Sequence, residues 1–197
     1  MKLLHSIVEA YIGCSKFRMA AKTGEEMLRL CENDNIAIRY KLMAVYARLE
    51  DEDAALALHR QFDDQDEGPM LLPLILLFYK LDNYDKAKEY LDRLARTNKD
   101  TKRFFKALRD NDYDALGDAE FDFGYRPFTV EELAMAYFDN DDIYDEVPDF
   151  AEWAYKNVSA KKRTAGTSAK SQGQNNGHDR AMLTPLRPVL DKTHVSL

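Results

Sequence analysis

The sequence predicts an all-α protein, a right-handed superhelical stack of helical hairpins with extra C-terminal helices packed on it. Three observations carry this. Residues 1–99 divide into three helix-turn-helix units that overlay at a period of about 33–34 residues. Within each unit the apolar residues recur three and four apart, the spacing of one helix face that must bury against a neighbour. An alanine follows each turn, at Ala20, Ala54 and Ala87, where a close helix crossing has room for nothing larger.

The third unit is the clearest, with Leu71, Leu74, Ile75, Phe78 and Tyr79 before the turn and Tyr84 to Leu94 after it. One step back sets Ile38 on Leu71 and Val45-Tyr46 on Phe78-Tyr79; a second sets Leu4 on Ile38, Tyr11 on Val45 and Phe17 under Tyr84. The aromatics at 17 and 84 are expected to plug the open end of their hairpins, and Asp51 takes that slot in the middle unit. No unit buries its face alone, so the core should run from one unit to the next.

In order, Leu3 to Ile12 reads as the first helix, Gly13-Cys14-Ser15-Lys16 as its turn and Phe17 to Cys31 as the second helix. Gly24 should weaken that helix by up to about 1 kcal/mol relative to alanine unless it permits a close contact. Glu32 to Asn35 is a polar break in which Asp34 or Asn35 caps the third helix, Ile36 to Leu49, with Ile38, Leu42, Val45 and Leu49 on one face. Glu50 to Asp53 turns the chain and places acids at the positive start of the fourth helix, Ala54 to Phe62. After the acidic loop Asp63 to Gly68, Pro69 opens the fifth helix. Met70 to Leu81 is apolar nearly all round, the mark of a helix buried on more than one side. Tyr84 to Ala95 follows, and Asn98 to Arg109 is a basic amphipathic helix that should cap the stack.

The domains expected are therefore 1–109, three units plus the capping helix; 110–157, a helical extension packed on the repeats; and 158–197, a disordered basic tail. In the extension Tyr113, Leu116, Phe121 and Phe123 are candidate anchors, and Thr129 with Glu131-Glu132 is close to a capping box. A last short helix, Asp149 to Asn157, contains Phe150, Trp153 and Tyr155. Beyond it the Ser, Gly, Gln and Asn of 171–177 cannot bury enough apolar surface to order themselves.

Helix, tight turn, small residue and helix at this period resemble tetratricopeptide repeats. The stretch Glu26 to Tyr40, with its Met-Leu helix end, Asn-x-Asp-Asn break and Ile-Arg-Tyr start, is similar to a bacterial tetratricopeptide family related to the suppressor of tumorigenicity 7 protein. Gly124-Tyr125-Arg126-Pro127, the Glu131-Glu132 helix and Phe150-x-x-Trp153 extend that resemblance over residues 1–157. It implies a helical-repeat fold and protein interaction, and no established reaction. Members of that family usually carry more chain before the repeats, and the tail after Asn157 has no counterpart in them.

With 45% hydrophobic and 32% charged residues in 197, the composition is that of a soluble globular chain. Met70 to Tyr79, the longest apolar candidate, is too short to span a bilayer and contains Pro73, so no membrane is expected. The start has no apolar core leading to a small-residue cleavage site, and a cytoplasmic location follows by default. Cys14 and Cys31 stand near opposite ends of one helix, about 20 Å apart, too far to bridge. The net charge of −7 divides into +5 for residues 158–197 and −12 for residues 1–157, and an acidic body argues against nucleic acid.

A search for catalysis is negative: there is no glycine-rich phosphate loop, no His-Glu-x-x-His and no Gly-x-Ser-x-Gly, so no enzyme activity and no cofactor is expected. His5 and His59 read as helix-surface residues, His178 and His194 as tail residues, and Asp139 to Glu146 as a solvated acidic loop rather than a calcium site. The positive signal is the inner face of the first helices. Lys2, His5, Glu9 and Ile12, then Arg39, Tyr40, Met43 and Tyr46, then Leu72, Leu76, Tyr79 and Lys80 should line a concave groove. An aromatic and methionine-rich floor of this kind suits a partner helix or peptide. Two readings remain open from sequence: an open protein-binding groove, or a floor covered by the chain's own residues 125–157. Two other functions are alternatives: a small metal-dependent or hydrolytic enzyme built on the acidic C-terminal region, and a scaffold for self-association.

Overall fold

The computed structural model describes residues 1–116 and 126–158, and every regular element among them is helical. The α-helices are α1 (Lys2–Gly13), α2 (Phe17–Leu30), α3 (Ile38–Leu49), α4 (Glu52–Gln61), α5 (Gly68–Lys80), α6 (Tyr84–Thr97) and α7 (Thr101–Asp110), then α8 (Val130–Phe138), α9 (Asp141–Asp145) and α10 (Phe150–Asn157). A single 3-10 turn, Tyr113–Leu116, follows α7. Phe121, Phe123 and the tail read above as disordered lie outside the described residues. Among the described residues no helix is long and apolar enough to cross a membrane.

The hairpins α1/α2, α3/α4 and α5/α6 are closed by one and the same turn. A residue in the left-handed region (Ser15, Glu50, Asp82) is followed by one whose N–H reaches back to the carbonyl five positions earlier. Lys16 donates to Tyr11 (2.8 Å), Asp51 to Tyr46 (3.0 Å) and Asn83 to Phe78 (2.9 Å). This is a Schellman stop fused to the first cap position of the next helix. It recurs after α7, where Asn111 is left-handed and Asp112 donates to Ala107 (2.9 Å).

These turns align the three hairpins differently from the expectation at the middle one. Counted from the cap, the small residue that lets the helices cross is Ala20, Ala55 and Ala87, each fully buried, whereas Ala54 is only half-buried. The cap residues Lys16, Asp51 and Asn83 are spaced 35 and 32 apart, and their average near 33–34 concealed a one-residue slip in the middle hairpin. Gly24 has the close contact it needs: a Cβ there would lie 2.7 Å from Leu42 Cδ2. α2 thus packs tightly on α3 as well as on α1.

α5 is the centre of the core. Every residue from Gly68 to Phe78 is buried, and the helix touches α3, α4, α6 and α8. α8 packs on α5 and α7, α9 on α3, and α10 on α6 and α7. α3 starts two residues later than expected, α4 two residues earlier, and α5 at Gly68, ahead of Pro69. Asn98 ends α6 in an extended conformation instead of starting α7, and part of the acidic run after Phe138 is the helix α9. Cys14 and Cys31 are free thiols.

Candidate functional site

The residues expected to floor a groove divide into two groups. Met43, Leu72 and Leu76 have no exposed surface at all, which corrects the expectation of an open groove there. The reason is the C-terminal helices: α8 lies on α5, and the rings of Phe150 and Trp153 of α10 stand 5.4 and 5.1 Å from that of Tyr79. Tyr46 is buried too and turns toward α2, its hydroxyl donating to Glu25 (2.9 Å).

The polar members tie one hairpin to the next. The Arg39 guanidinium pairs with Asp34 (3.0 Å) and Glu67 (3.5 Å), and the Tyr40 hydroxyl donates to Glu67 (2.7 Å). Lys80 pairs with Glu50 (3.2 Å) at the end of α3. Asp34 is also the cap of α3: its carboxylate, wholly buried, accepts from the N–H groups of Ile38 (2.7 Å) and Arg39 (3.1 Å). These bonds hold Ala37 in the left-handed region, φ 57°, a conformation that costs a non-glycine residue about 1–2 kcal/mol.

His59 is a further correction, since it is fully buried rather than on a helix surface. Its Nε2 lies 3.1 Å from the Gln65 carbonyl, which can only accept, so Nε2 carries the proton. Its Nδ1 faces Asp64 at 3.2 Å, and burial holds the imidazole below its ordinary pKa. In the acidic run, Asp142 and Glu146 both pair with Arg48 of α3.

What remains open of the expected concave face is a cleft of about 410 Å³ between α1, the start of α3 and the end of α8. Ile36, Ala37, Pro69 and Met135 supply apolar lining, and Ile36 is 38% exposed. A polar bridge crosses it. His5 Nε2 stands 3.8 Å from Glu9, Lys41 Nζ stands 3.6 Å from Glu9, and Lys41 donates to the Asp139 carbonyl (3.3 Å). Of the expected groove residues, His5, Glu9 and Tyr40 line this cleft. Ile36, Ala37, Lys41 and Pro69 line it without having been expected to, and so do Met135 of α8 and Asp139, the cap that ends it, which lie more than 90 residues along the chain where no local pattern joins them to α1. Compared with protein-family models, curated proteins and solved structures, the chain matches none of them.

Proposed function

We propose that this chain is a tetratricopeptide-like, non-catalytic protein-interaction module, and that the cleft between α1, α3 and α8 takes a short apolar segment of a protein partner. The repeated turn at three successive hairpins, with a buried alanine at the same distance after each, supports the repeat assignment. The observation that carries the docking reading is the cleft itself: apolar surface at Ile36 and Met135 beside the His5–Glu9–Lys41 bridge, on a part of the inner face that the C-terminal helices leave open. A volume of about 410 Å³ admits two or three side chains, so the expected partner is a short segment with an aliphatic anchor and flanking charges.

The test is capture of partners by the full chain in parallel with Ile36→Glu/Lys41→Glu. Ile36 is exposed and Lys41 partly so, and the variant should keep the parent's circular dichroism and melting temperature. A partner retained by the parent and lost by the folded variant supports the cleft. Capture that is equal for the two proteins removes the cleft from the proposal.

A further inference from the structure

A second cleft lies elsewhere, between α2 and α4, and it is larger, about 680 Å³. One wall is Glu25, Leu28 and Arg29 of α2, with Glu32 just past its end. The other is Ala54, Ala57, Leu58 and Gln61 of α4, and Tyr46 of α3 also lines it. Ala54, Ala57, Leu58 and Gln61 follow the i, i+3, i+4, i+7 spacing of a helix face, and Glu25, Leu28 and Arg29 the i, i+3, i+4 spacing, so two helix faces oppose one another across a gap, with Glu32 placed beside them by the turn after α2.

The next pair of second helices shows what fills such a gap. Between α4 and α6, Lys86 pairs with Glu52, and Arg93 pairs with the Asp66 carboxylate and donates to the Asp64 carbonyl (2.8 Å). Lys86 and Arg93 stand three and ten residues after the cap Asn83; the same positions after the cap Asp51 hold Ala54 and Gln61. α4 therefore has no long cation at either of these two positions, Arg60 standing one residue before the second. The carboxylates on the far wall remain: Glu25, exposed and accepting from the Tyr46 hydroxyl, and Glu32, which makes no ion pair or hydrogen bond among the described residues. Arg29, the one cation of the wall, is held by Glu26 through two bonds of 2.6 and 2.7 Å.

We propose that the α2/α4 cleft docks a basic amphipathic helix of another protein, about three turns long. Its Lys or Arg residues, spaced seven apart as Lys86 and Arg93 are, pair with Glu25 and Glu32, and its small residues lie over the exposed Ala57, between the largely buried Leu28 and Leu58. The length follows from α4, ten residues or about 15 Å. The −12 charge of residues 1–157 draws such a partner in. This surface shares no lining residue with the α1/α3/α8 cleft and stands independently of it.

The experiment is fluorescence anisotropy of the full chain with a labelled 14-residue helical peptide. It carries alanine and leucine on one face with Lys and Arg seven apart, and its control has Glu at those two positions. The basic peptide should bind and the acidic one should not. Ala54→Lys/Gln61→Arg, which gives α4 the cations that α6 has, should weaken binding at least about tenfold while melting at or above the parent's temperature. Glu25→Gln/Glu32→Gln should also weaken it and flatten its salt dependence. Ile36→Glu/Lys41→Glu should leave it unchanged. Absence of binding by the basic peptide, equal binding of both peptides, or undiminished binding by the folded Ala54→Lys/Gln61→Arg variant overturns the proposal.

Discussion

Glu132 and His59 are buried ionisable residues whose burial pulls in opposite directions on stability. The Glu132 carboxylate, at the first turn of α8, accepts from the Phe128 N–H (3.0 Å) and Asn98 Nδ2 (3.4 Å), yet burial raises its pKa above 4.5. A raised carboxyl contributes stability that is present below its unfolded value and lost as pH rises through the folded one. Glu132→Gln keeps an acceptor without the charge, so it should exceed the parent in stability at pH 7, and the gap should close below about pH 4.5. His59 has its pKa lowered, so its contribution is present above about 6.5 and lost as pH falls through the folded value. The acid side of the stability profile should accordingly flatten in His59→Gln. Urea unfolding from pH 4 to 8 reads both, and pH-independent differences would sink the argument. Neither burial was legible locally. His59 sits on an alternating polar helix, and only the return of the 62–67 loop and Tyr90, whose ring stands 5.8 Å away, encloses it.

At the scale of the helix, the shared turn explains both what was legible and where the register slipped. The apolar stripes and the small residue after each turn show in the sequence because burial demands them at every hairpin. The slip at Ala54/Ala55 does not show, because two adjacent alanines satisfy the same pattern and only the turn's hydrogen bond selects one. The turns also differ in their caps. Asp51 and Asn83 accept from the N–H groups of Ala54 (3.0 Å) and Lys86 (3.3 Å), while Lys16 has no side-chain acceptor to offer α2. Lys16→Asp should therefore stabilise the chain by roughly 0.5–1 kcal/mol, and Asp51→Ala should cost about 1 kcal/mol. Denaturant titration checks both; equal effects of opposite sign to these would mean that the turn, not the cap, sets the helix start. α9 escaped notice because five residues rich in aspartate carry little helical signal, and Arg48 of α3 supplies the pairing that holds them.

For the whole of the described molecule, the C-terminal helices complete the core. Trp153, the single tryptophan of the chain, is half-buried against Tyr79 and Tyr84, and Phe150 beside it also meets Phe105 of α7. Tryptophan fluorescence and far-ultraviolet circular dichroism should report one shared unfolding transition, and Trp153→Ala should cost about 2 kcal/mol, less than a fully buried ring would. A fluorescence change that precedes the loss of helix would show α10 leaving on its own.

By itself the sequence determined most of the helices, their hairpins and the need to cover α5, since each follows from the spacing of apolar and small residues along one segment, whereas the close contact at Gly24 needed the structure to show Leu42 against it. Only the tertiary structure decided which faces stay open. Met43, Leu72 and Leu76 carry the same pattern whether they face a partner or α8–α10, because periodicity states that a face is buried and not by what. The two clefts arise from contacts between segments: one where α8 stops short of α1, the other where Ala54 and Gln61 stand in place of the long cations of the next hairpin.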